Sequence, residues 1–166
     1  MKKLKILGVI SIFLLYGILV GAGNAVAAGN ARFTGAGVIG TTVPRAFHAF
    51  RLPCNMNQSM PQKGVLVVYH GGNRFTLNML TQVHCFDDPG IDPGRPHANF
   101  DTIHGWGVGK WNGISGYYVE FIFTDGGEPG NGDWGWIQIY ESETRNIVLE
   151  VSGFLKAGNH NARGNI

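Results

Sequence analysis

Residues 125–133 read Asp-Gly-Gly-Glu-Pro-Gly-Asn-Gly-Asp, which sets the side-chain oxygens of Asp125, Glu128, Asn131 and Asp133 close together along a glycine-rich stretch. Calcium takes about six to eight hard oxygen ligands, and a chain that can curl lets backbone carbonyls complete the shell. These residues are therefore calcium-ligand candidates. Their spacing is not that of an EF-hand. Gly-Asn-Gly-Asp at 130–133 matches half of a calcium-binding nonapeptide repeat, in a single copy. The same residues equally suit a β-turn whose Asp and Asn side chains cap their own backbone. Asp87, Asp88 and Asp92 form a second acidic cluster with the same two readings. A carboxylate pair for glycoside hydrolysis could join Asp125, Glu128 or Asp133 to Glu120, but nothing in the sequence fixes their separation.

Trp106, Trp111, Trp134, Trp136 and Tyr140 supply flat aromatic faces. Trp134, Trp136 and Tyr140 alternate with Ile137 and Ile139, so they share one side of a strand. Such a row can stack sugar rings, and it can equally serve ordinary cross-strand packing. Trp134, Trp136 and Tyr140 are the candidate binding residues.

Nucleophilic chemistry finds less support. Val65 to Asn73, VLVVYHGGN, looks like the strand and HGG segment that forms an oxyanion hole in lipases, but no G-x-S-x-G occurs. The plainer reading is a hairpin turn with Gly71 and Gly72 at positive φ. The histidines, at 48, 70, 84, 97, 104 and 160, show no HExxH or HxH spacing. No catalytic residue is assigned, and the chain is expected not to be an enzyme.

The elements that must position these groups are strands. Gly is 26 of 166 residues, 44% are hydrophobic, and only 14% are charged. The apolar share is enough to fill a core, which argues against disorder. No stretch after the leader holds a helical apolar period, so coiled coils and helix bundles are excluded. A net charge of +2 excludes an electrostatic nucleic-acid binder. Short runs with β alternation recur between turns. They include Arg32 to Ile39, Ala46 to Leu52, Gly64 to Tyr69, Arg74 to Cys85, Gly116 to Thr124, Trp134 to Glu141 and Ile147 to Leu155. Val119, Phe121 and Phe123 mark one inner face, and Ile147, Leu149 and Val151 another. The expected fold is all-β, an antiparallel two-sheet sandwich of jelly-roll or Ig-like topology. Phe86 to Asn99 and Asn55 to Lys63 read as loops, and Lys156 to Ile166 as a tail.

Residues 1–27 read as a signal peptide: Lys2, Lys3 and Lys5, an apolar run over 6–20, and Ala25-Val26-Ala27 as the cleavage site. An uncleaved membrane anchor is the rival reading. Cleavage would leave residues 28–166 as a single secreted domain with a slight acidic excess, since three lysines go with the leader. Cys54 and Cys85 both fall in the exported part and are expected to form a disulfide, with metal binding by two thiolates as the alternative. A secreted, periplasmic or cell-surface location follows.

Asn112 to Arg163 resembles a recurring exported bacterial module, the post-COAP-1-like domain. The matching pieces are Gly116-Tyr117, Thr124 to Asp133, Ser152 to Leu155, and Gly158-Asn159-His160. The segments at Cys54 to Gln58 and His84 to Pro89 resemble its Cys-containing half. The likeness departs at Ala162-Arg163, where the module carries a terminal His. It implies a small extracellular β domain and brings no catalytic residues. The expected function is a non-enzymatic cell-surface structural or adhesive module, with surface proteins, glycans or copies of itself as partners and calcium as the only candidate cofactor. A carbohydrate-binding domain using the aromatic face is the alternative, and a small secreted hydrolase the third reading. No nucleic-acid partner is expected, and membrane contact only through an uncleaved leader.

Overall fold

In the computed structural model, residues 31–40, 45–54, 62–91 and 97–166 are described. The leader over 1–27, most of the loop after Cys54, and Asp92 lie outside the described residues. Nine strands follow in order: β1 Arg32–Ile39, β2 Ala46–Pro53, β3 Val65–His70, β4 Asn73–Phe86, β5 His97–Ala98, β6 Thr102–Trp111, β7 Ile114–Thr124, β8 Trp134–Glu141 and β9 Ile147–Gly164.

The all-β expectation holds, but the two-sheet sandwich, jelly-roll or Ig-like, does not. The strands run β1-β2-β3-β4-β6-β7-β8-β9, and β9 pairs back onto β1. The result is a closed antiparallel barrel of eight strands, with the short β5 pairing parallel to the end of β9. Two long, bent strands cause the closure. β9 pairs with β8 through Ile147 to Phe154, then with β1 through Leu155 to Arg163. β4 pairs with β3 near its start and with β6 along nearly its whole length. Register shifts at Leu77/Met79 and Leu80/Gln82 mark where β4 bends; such irregularities sharpen twist and let a sheet coil on itself. Residues 156–164 of the expected tail, Lys156 to Ile166, are thus the closing half of β9.

Turn chemistry sets the hairpins. Gly71 and Gly72, at φ 54° and 83°, form the two-residue turn between β3 and β4. Asn112 and Gly113, at φ 51° and 85°, do the same between β6 and β7. Paired positive φ values match the twist of flanking strands.

The interior is packed. Phe33, Phe75, Phe121, Phe123, Ile137 and Ile139 are fully buried. Phe50 lies flat on Phe123, with ring centroids 4.3 Å apart. β6 makes room by placing Gly105, Gly107 and Gly109 inward, so that a Cβ there would meet Phe121, Leu77 and Phe75 at 2.4 Å. Small and large side chains thereby interlock across a narrow barrel. Cys54 and Cys85 are bonded, with Cα atoms 5.6 Å apart, tying the end of β2 to the end of β4. The outer face carries Arg51, Lys110, Glu120, Gln138 and Glu150, the inverse of a barrel whose outside meets lipid.

Candidate functional site

Strand alternation sends Trp134, Trp136, Gln138 and Tyr140 outward from β8, while Gly135, Ile137 and Ile139 point in. Register then builds rows across neighbouring strands. Trp134 sits between Thr124 and Phe154; Trp136 sits between Ile122 and Ser152. Gln138 lies between Glu120 and Glu150, and Tyr140 faces Tyr118. On β6, His104 is opposite Ile122 and Trp106 opposite Glu120. The outer face of β6 to β9 is therefore aromatic, with carboxylate, amide and imidazole groups interleaved.

At one end this face deepens into a groove of about 620 Å³, lined by Phe86, Ile91, Ile122, Trp134 and Phe154 among others. That volume lies within the range of small-ligand sites. Phe86 and Phe154 are 42% and 58% exposed, so large apolar surface stays open at the rim. Asp101 fixes one wall. It is buried just before β6, and its Oδ1 accepts from the Asp88 amide at 2.9 Å and the Thr102 hydroxyl at 2.7 Å. Burial pushes its carboxyl above the usual range, while those two bonds pull the other way.

The expected binding residues separate by position. Trp134 lines the groove. Trp136 is on the open face and donates from Nε1 to Glu150 at 3.4 Å. The Tyr140 ring is already engaged, stacked on Tyr118 at 5.7 Å with the Arg145 guanidinium 4.4 Å from its centre. Trp106 belongs to the face, tilted against His104 at 3.9 Å, whose Nε2 is 2.8 Å from Glu120. Trp111 does not belong to it: it is only 9% exposed and sits in the core. Phe154 and Phe86 went unnoticed in the sequence. For Phe154 the signal was available, since it continues the outward parity of Glu150 and Ser152. Ile147, grouped by the same parity with inner Leu149 and Val151, is instead 54% exposed, because register shifts between β8 and β9 at Tyr140.

The acidic loop lies at the barrel end. Asp125 accepts from the Gly127 amide at 3.0 Å and the Ala162 amide at 2.9 Å. Asp133 accepts from the Gly126 amide at 2.8 Å and from the His160 amide. Both side chains are buried and fasten the loop to the closing half of β9. Glu128 accepts from Asn159 at 3.0 Å, and Asn131 is exposed. Among the described residues no three His, Cys, Asp or Glu side chains gather as a metal-binding group. Burial pushes the Asp133 carboxyl up to about 6, against the two amide bonds that favour its ionised form.

Beneath this loop His48 and His160 meet inside the barrel, Nε2 to Nε2, at 2.7 Å. His160 Nδ1 lies 2.9 Å from the Thr124 carbonyl, so Nδ1 carries the proton and Nε2 accepts. His48 must then donate from Nε2, which leaves its buried Nδ1 as a bare lone pair. Burial holds His48 down to about 3, helped by its neighbour, and His160 down to about 4. Among the described residues no serine or cysteine hydrogen-bonds a histidine.

No family model, curated protein or solved structure matches this chain.

Proposed function

We propose that this protein is an exported, disulfide-bonded binding module that holds a carbohydrate on the outer aromatic face of its barrel. The groove beside Trp134 carries this reading: an indole and two exposed phenyl rings border a cavity of ligand size, next to Trp136, Gln138, Glu120 and Glu150. Aromatic rings stack on the C–H faces of sugars, amide groups both accept from and donate to hydroxyls, and carboxylates accept from them. The adhesive role expected from the sequence becomes adhesion through this face, because a closed barrel offers no long edge for strand addition. The Cys54–Cys85 bond is compatible with an extracellular or periplasmic location. The resemblance of residues 112–163 to an exported module points the same way.

Depletion of the protein by a panel of insoluble and immobilised polysaccharides tests the reading. At least one polysaccharide should retain the wild type, and Trp134→Ala should lose retention while keeping its thermal transition. Equal retention of the two proteins would contradict it.

A further inference from the structure

Around the barrel from the aromatic face, β1 and its two neighbours gather positive charge. Phe33 points into the core, so Arg32 and Thr34 face outward from β1. Arg163, exposed at the end of β9, is the direct cross-strand partner of Arg32. Arg51, exposed on β2, is the direct partner of Thr34 and lies diagonal to Arg32. These four side chains line a shallow cavity of about 320 Å³. Arg32 and Arg51 also line an adjoining hollow with Lys63.

Like charges placed directly opposite each other on paired strands repel. General basicity does not account for the cluster, since the chain beyond the leader has a slight acidic excess. Nor do carboxylates neutralise it: among the described residues the single ion pair is His104 with Glu120, on β6 and β7. Glu128 borders the cluster, but it accepts from the Asn159 and Asn161 amides at 3.0 and 3.5 Å rather than from an arginine. Asn161 in turn accepts from Arg163 Nε at 2.7 Å, which orients that guanidinium and leaves its outer nitrogens available.

We propose that Arg32, Arg51 and Arg163, gathered around Thr34, whose hydroxyl donates to the Asn161 carbonyl at 3.5 Å, form a binding site for a phosphate or sulfate group. The guanidinium fork presents paired N–H donors that match the oxygens of such an anion, and a doubly charged ligand removes the repulsion among the three cations. The site is independent of the aromatic face.

Thermal melting of the whole protein in sodium phosphate, sodium sulfate and sodium chloride at equal ionic strength tests the site. Phosphate or sulfate should raise the melting temperature saturably beyond chloride, by mass action. Arg163→Gln and Arg32→Gln should each weaken the half-saturating concentration about tenfold, as expected on loss of one charge-assisted hydrogen-bonding partner. Lys110→Gln, on β6, should leave it unchanged. A phosphodiester polymer and a sulfated polysaccharide, compared in the same assay, tell which source the site prefers. A rise no larger than that in chloride, or one kept in full by the Arg32→Gln, Arg163→Gln double variant, would overturn the proposal.

Discussion

At the scale of single residues, the buried His48–His160 pair links stability to pH. Both imidazoles are neutral in the fold, held down to about 3 and about 4, whereas the unfolded chain protonates them near 6.5. The unfolded chain therefore binds more protons as pH falls below about 6.5, and stability declines. Asp133 opposes this between about 6 and 3.8, because its raised folded pKa takes up a proton first; Asp101 acts in the same direction. The histidines are shifted further, so the net effect is loss of stability in acid. Melting temperature should fall between pH 7 and pH 4.5, and His48→Leu should flatten that slope by about one proton while lowering stability at pH 7 by about 1–2 kcal/mol, since His160 Nε2 loses its donor. A pH profile unchanged in His48→Leu would contradict this assignment. Asp133 makes a second residue-scale case. Its oxygens accept two backbone amides, so Asp133→Ala should cost about 2–3 kcal/mol by leaving both donors unpartnered. With the loop's carboxylates hydrogen-bonded in this way, calcium in excess over chelator should leave the wild-type melting temperature where it is.

At the scale of elements, β9 decides the architecture. Gly158 lies within its closing half at φ 110°, and a Cβ there would stand 2.1 Å from the Ala36 carbonyl oxygen on β1. Gly158→Ala therefore meets both backbone strain and overlap, and should destabilise by about 3 kcal/mol, measured by denaturant unfolding. The sequence showed its first half, Ile147 to Leu155, and hid the closing half for a physical reason. The inward positions of its second half are His160 and Ala162 rather than large apolar residues, and Asn159 and Asn161 alternate with them, so no apolar run signals a strand. β7 and β8 were legible because Val119, Phe121, Phe123, Ile137 and Ile139 obey strict alternation and Gly-Gly and Asn-Gly mark turns, whereas β6, with glycine at its inward positions, and the two-residue β5 carried no such signal. Alternation alone cannot distinguish a sandwich from a barrel, since both bury one face of each strand. The glycine at every second position of β6 was the available sign of a narrow closed interior. The binding face was legible in part: Trp134 and Trp136 follow from parity, whereas Phe86 and the wall held by Asp101 depend on long-range pairing.

At the scale of the whole molecule, the barrel has one covalent tie, between residues 31 apart in sequence, closing the ends of β2 and β4. Its removal in the Cys54→Ala, Cys85→Ala double variant should cost roughly 3–4 kcal/mol by the chain-entropy account, read as a lowered unfolding midpoint. The rigid, filled interior leaves recognition to the outside, where there are two different surfaces: aromatic rings with hydrogen-bonding groups on β6 to β9, and three arginines around Thr34 on β1, β2 and the end of β9. The first of these surfaces carries the proposed carbohydrate binding. It is tested most directly by titrating tryptophan fluorescence of the wild type, Trp134→Ala and Phe154→Ala with soluble oligosaccharides of a polymer that retains the protein. The account predicts a saturable change in the wild type and an affinity weakened about tenfold or more in each variant, the scale of losing one stacked ring. An equal affinity in all three proteins would contradict it.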